Sequence, residues 1–133
     1  MSEFHIIELT VSDQETLLST LREMHYQPTV HEEAQQLYGY RGDLREQRAH
    51  IIIPRKQVGG ASNDVGFERK ADGSFIMHLS EYDQRVNTFD IKKMNQLYAK
   101  NRLNKAIKLK GRYSMVSQKT EKDGRIHIRL RVR

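Results

Sequence analysis

The chain has 133 residues, 37% hydrophobic and 30% charged, with no cysteine and a net charge of +6. That length allows one domain with a real core and is short for two, and the lack of cysteine excludes disulfides, thiolate metal sites and a cysteine nucleophile while being compatible with a reducing compartment. No apolar run approaches the roughly 18 residues of a membrane helix, and the acidic start MSEFHIIELTVSDQE has no basic segment ahead of an apolar one, so neither a membrane span nor a secretory leader is expected.

In chain order, FHIIELTV (4–11) predicts a first strand. Ser12 stands three residues before Glu15, the spacing of a capping box, so a helix is expected to begin there. Leu17, Leu18, Leu21 and Met24 recur at helical spacing, and Pro28 stops the helix near Tyr26. The chain then reads as extended from Thr29 to Arg55, with a polar turn at RGDLREQR and a central strand at Ile51, Ile52 and Ile53. QVGGASND breaks it, and the loop from Gln57 to Asp64 is expected to be the most mobile stretch. VGFERK and SFIMHLSEY form a hairpin across Ala71, Asp72 and Gly73, where Asp-Gly is a strong turn signal.

A second helix is predicted from Asn87 or Thr88 to Gly111, with Ile91, Met94, Leu97 and Tyr98 on one face. Its apolar phase drifts after Asn101, which predicts a kink or fray. RYSMVSQKTEK and RIHIRLRVR close the chain as a hairpin across Asp123 and Gly124. The order β-α-β-β-β-β-α-β-β predicts one α+β domain over residues 1–133: a mostly antiparallel sheet of about six to seven strands with two helices packed on one face.

Charge is divided along the chain. Residues 1–88 carry nine Lys and Arg against fourteen Asp and Glu, whereas residues 89–133 carry fourteen against three. Lys92, Lys93, Lys100, Arg102, Lys105, Lys108, Lys110 and Arg112 decorate the second helix and its exit. On the last strand Arg125, His127, Arg129, Arg131 and Arg133 alternate with Ile126, Ile128, Leu130 and Val132, the two-residue period of a strand with one dry and one wet face. Such a surface can grip phosphates or an acidic protein. The competing reading is a solvated helix face beside an edge strand that uses charge to resist pairing. A second candidate surface is the turn holding Tyr38, Tyr40, Arg41, Arg45 and Arg48, because tyrosine with arginine is the mixture found at protein hot spots.

Reaction chemistry leaves no comparable mark. The six histidines, at 5, 25, 31, 50, 78 and 127, stand at none of the short spacings of a metal site on one helix or hairpin. HEE (31–33) lacks the second histidine of a zincin. There is no G-x-S-x-G elbow for a serine nucleophile, and Gly59-Gly60 lacks the Lys-Ser/Thr pair of a phosphate loop. KGRYSMVS (110–117) follows a helix, whereas the aromatic strand of an RNA-recognition fold precedes its second helix. No catalytic residue, metal ligand or cofactor is therefore nominated.

The tracts GYRG (39–42) before an isoleucine strand, NDVGF (63–67), ADGSF (71–75), LYA (97–99) and KDGRIHIRL (122–130) together resemble the uncharacterised chloroplast and cyanobacterial reading-frame family ycf number thirty-five, also bacterial, over nearly the whole chain. The resemblance implies a small soluble accessory protein, located in the cytoplasm or in the chloroplast stroma if plastid-encoded, with an AAA-type ATPase as the partner that gene neighbourhood suggests. The expected function is non-enzymatic: an accessory or interaction protein that binds an acidic or macromolecular partner through its basic helix and last strand. The alternative is sequence-independent RNA or DNA binding by the same residues. Steep, log-linear weakening in salt separates nucleic acid from a packed protein interface.

Overall fold

Ile51 and Ile53, Val65 and Phe67, and Phe75, Met77 and Leu79 alternate at a period of two along three adjoining strands, so their side chains share one face and form the floor of the main core. A computed structural model describes residues 2–110 with their side chains and residues 113–120 and 126–132 as backbone. The elements are β1 (Phe4–Glu8), α1 (Gln14–Glu23), β2 (Thr29–Tyr38), β3 (Leu44–Ile53), α2 (Arg55–Val58), β4 (Val65–Arg69), β5 (Phe75–Ser80), α3 (Glu81–Val86), α4 (Ile91–Lys110), β6 (Tyr113–Thr120) and β7 (Ile126–Val132).

The α+β class is as expected, but the strands do not form one sheet. β1-β5-β4-β3-β2 make a five-stranded antiparallel sheet, and β6 and β7 pair only with each other as a separate ribbon. Four helices are present among the described residues rather than two, because α2 and α3 occupy stretches read as loop and strand end. α1 and α4 cover the floor: Leu17 and Leu21 from one and Met94 and Tyr98 from the other join Val11 and Phe89 in the core. Each fully buried Leu, Ile, Phe or Met contributes on the order of 1.5–3 kcal/mol.

Helix ends explain where the boundaries differ from expectation. α1 starts one residue late because Asp13, not Ser12, is the N-cap; its carboxylate accepts from the Thr16 N–H at 3.3 Å. It stops before Pro28 can act. The His25 N–H donates to Arg22 O at 2.9 Å and the Tyr26 N–H to Leu21 O at 3.0 Å, the paired bonds of a Schellman motif, with His25 at φ 72° in the left-handed position. α4 begins at Ile91 because Asp90 caps it, its carboxylate accepting from Lys93 N–H and its carbonyl from Met94 N–H, both at 3.0 Å. Asn87, read as a cap for that helix, instead ends α3 at φ 56°.

The second face of the sheet is closed by the β2–β3 hairpin. Only Ile51, Ile52 and Ile53 of β3 pair with β4. The pairing of β2 with β3 jumps from Val30–Ile51 to Gln35–Ala49, then shifts again before Tyr38–Leu44, and bulges of this kind bend a ladder. Bending brings Leu37 and Ala49 onto Gly66, where Leu37, Ala49, Ile52 and Phe4 form a small second core. Glu32 and Glu33 fall in the bulged stretch and face solvent.

Candidate functional site

α4 carries the basic residues on a helix with two dry sides. Met94 and Tyr98 face the core, and the Tyr98 hydroxyl accepts from the backbone N–H groups of Ser12 at 3.3 Å and Asp13 at 3.1 Å. Leu103, Ala106 and Ile107 are also half-buried. At about 100° per residue, Leu103 lies about half a turn round from Met94. The phase drift after Asn101 is therefore a second apolar stripe on a helix that runs on to Lys110, and α4 touches both strands of the ribbon.

The cations divide into one that holds the fold and a set that does not. Lys105 reaches across to α1, with Nζ 2.9 Å from Asp13 Oδ2 and 3.5 Å from Glu15 Oε2. The Asp13 hydrogen bond raises the Lys105 pKa, while the Thr16 hydroxyl and then Lys105 hold Asp13 below the usual carboxylate range. One turn earlier, the Asn101 amide donates to Thr20 Oγ1 at 3.1 Å. Lys92, Lys93, Arg102, Lys108 and Lys110 are exposed and Lys100 is half-exposed. None of these six meets a carboxylate in a salt bridge among the described residues. Two open grooves run along α4: one of about 560 Å³ beside α1, lined by Glu15, Ser19, Asn104 and Lys108, and one of about 470 Å³ lined by Thr10, Asn95, Arg102 and Leu103.

Arg112, Arg125 and Arg133 lie outside the described residues. Arg129 and Arg131 fall on β7 opposite Ser117 and Ser114, and their side chains lie outside the described residues.

The Tyr-Arg turn is held by a buried polar network that sequence inspection missed. Asp64, just ahead of β4, accepts through its carboxylate from the N–H groups of Tyr38 and Arg55, both at 2.8 Å, and the Asn63 side-chain amide oxygen accepts from the Tyr40 N–H at 2.8 Å. The Arg55 guanidinium donates to the carbonyls of Tyr40, Ser62 and Gly60. Ser62, Asn63 and Asp64 are buried, so the end of the Gln57–Asp64 loop is an anchor, while Gln57, Gly60 and Ala61 are exposed. Arg45 does not face solvent as a free cation: it lies over the Phe4 ring, pairs with Asp43 and donates to Ser2 O at 2.9 Å. Tyr38 and Leu44 remain about half-exposed, Arg41 lies over the Tyr40 ring, and Arg48 is exposed.

Asp83 lies at the centre of a second buried cluster. Its carboxylate is fully buried and accepts from the hydroxyls of Ser62 at 2.5 Å, Thr88 at 2.5 Å and Ser80 at 2.7 Å. Ser80 in turn accepts from the Asp83 N–H at 3.0 Å. The legible signal was Ser80 three residues before Asp83, a helix-start pattern that marks α3.

Among the described residues no three His, Cys, Asp or Glu side chains are placed to hold a metal ion. His78 is buried with Nε2 2.9 Å from Glu68 Oε1, and His50 Nδ1 accepts from the Arg69 N–H at 3.0 Å. No described helix is long and apolar enough to cross a membrane.

A bent hairpin locked onto one face of the sheet and a long basic helix on the other define a small α+β domain. The chain belongs to the family described as Protein of unknown function (DUF1257), whose model matches residues 20–129. That span holds the hairpin, both buried polar clusters and α4, and begins inside α1. Searches of the curated proteins and of the solved structures give no match.

Proposed function

We propose that this domain is a non-enzymatic accessory protein that docks on an acidic macromolecular partner, with α4 as the contact surface and β7 as its extension. The observation that carries this reading is the division of cations on α4. Lys105 is tied to Asp13 and Glu15, whereas Lys92, Lys93, Arg102, Lys108 and Lys110 present charge to solvent and form no salt bridge among the described residues. A row of such charges speeds encounter with an acidic surface and fixes its orientation.

The resemblance to the ycf number thirty-five family supports an AAA-type ATPase as that partner, and a cytoplasmic or stromal setting. Sequence-independent RNA or DNA binding would use the same cations. The test is affinity capture of the tagged protein from cell extract, with and without nuclease. A protein partner that resists nuclease is the expected result. Recovery of nucleic acid alone, with every captured protein lost after nuclease, would replace this reading with the nucleic-acid one, and binding should then fall steeply and linearly in log salt.

A further inference from the structure

β1 is a lightly defended edge strand. It pairs with β5 over its whole length in unbroken register from Phe4–Ser80 to Glu8–Ile76, and no described strand lies on its other side. The Glu81 N–H donates to Glu3 O at 2.7 Å, so the backbone groups of odd-numbered residues turn toward β5. Those of Phe4, Ile6 and Glu8 therefore point out from the sheet. Edge strands commonly carry lysine, proline or a bulge that discourages pairing. β2, at the far edge, has its bulges and the exposed Glu32 and Glu33. FHIIE has no lysine, proline or bulge, its one exposed acid, Glu8, stands at the strand's end, and it presents Ile6 at 62% exposure.

We infer that β1 pairs antiparallel with β1 of a second copy of this chain, about a two-fold axis at Ile6, to make one continuous sheet through both protomers. Charge selects the register. Phe4 belongs to the second core and Ile7 to the main one, so alternation puts Phe4, Ile6 and Glu8 on the same face. With Ile6 opposite Ile6, Glu8 of each copy stands opposite Phe4 of the other, whose ring lies under the Arg45 guanidinium at 5.9 Å. The symmetric pairing thus makes two Glu8–Arg45 contacts and buries two exposed isoleucines against each other. A shift of two residues puts Ile6 opposite Glu8 and loses both.

The test uses the full chain, whose lack of cysteine makes single-cysteine variants clean probes. Sedimentation equilibrium is expected to give a dimer for the wild type. Ile6→Lys sets two like charges face to face and should weaken association by roughly tenfold or more while leaving the thermal unfolding temperature of the monomer unchanged. Ile6→Cys should oxidise to a covalent dimer, since directly opposite residues lie about 5.5 Å apart at Cα, within the range a disulfide spans. Glu8→Cys, four positions from its own counterpart along the strand, should not. A wild-type monomer across the concentration range overturns the proposal. So does a dimer that survives Ile6→Lys, or cross-linking of Glu8→Cys as fast as Ile6→Cys.

Discussion

Leu37 packs directly on the bare backbone of Gly66: a Cβ at Gly66 would stand 2.8 Å from Leu37 Cδ1 and 2.7 Å from the Ala49 Cβ. This contact lets the β2–β3 hairpin close on the second face of the sheet, and Asp64, two residues earlier, bonds the end of the same hairpin. NDVGF is thereby explained as a packing motif, with Asn63 and Asp64 as the clamp and Gly66 as the gap that admits Leu37.

Gly66→Ala should therefore cost about 1–3 kcal/mol, the usual range for overfilling a tight site. Gly60→Ala, with no atom within 4 Å of the added carbon, should change stability by less than about 0.5 kcal/mol. Urea unfolding of the two variants checks the contrast, and equal effects would remove the close-approach explanation.

Asp83 has no cation partner among its hydrogen bonds and relies on three hydroxyls. Asp83→Ala should destabilise the domain by roughly 3 kcal/mol, because a charge-assisted network is removed and buried hydroxyls lose their acceptor. Asp83→Asn should cost less, since hydroxyls can rotate to accept from the new amide. Thermal unfolding of both variants measures the order, and an Asn variant as weak as the Ala variant would contradict it.

His25 occupies the left-handed position that glycine usually fills after a helix. It is exposed, and its side chain is free of the core. His25→Gly should raise stability by about 1 kcal/mol, the cost that a side chain carries in this backbone conformation. A loss of stability on this substitution would mean that the imidazole makes a stabilising interaction.

Burial, followed by the neighbouring Arg69 charge, lowers the His50 pKa from its ordinary 6.5, against a smaller opposing effect of Glu68. A lowered folded-state pKa means that the unfolded chain takes up the proton first. The contribution of His50 to stability is then fully present above 6.5 and is lost as pH falls through the folded value. Protonation also removes the acceptor for the Arg69 N–H. Wild type should lose stability relative to His50→Gln as pH falls below 6.5, and NMR titration of the imidazole should place its pKa below 6.5.

How much of this was legible in the sequence depended on whether the signal was local. The β-branched run Ile51–Ile53, the Asp72-Gly73 turn and the apolar face of α1 are short-range patterns, and each appears where expected. α3 was missed because SEY continues the alternation of β5, and Ser80 with Asp83 outweighs that alternation by capping a helix. The separation of the β6–β7 ribbon from the main sheet is not legible, because strand order is set by distant pairing, which no local pattern carries. The same holds within the candidate site. Lys105 and Lys108 look alike in the sequence, but Lys105 meets Asp13 across 92 positions of chain, so one stabilises the fold and the other stays available.

Docking through α4 is tested most directly by capture from nuclease-treated extract with wild type and with the variant Lys92→Gln, Lys93→Gln, Arg102→Gln and Lys108→Gln. All four side chains are exposed, so the variant should fold as the wild type does. Docking through α4 predicts a partner protein that the wild type retains and the variant loses, with only modest weakening in added salt. Undiminished capture by the variant would contradict α4 as the docking surface.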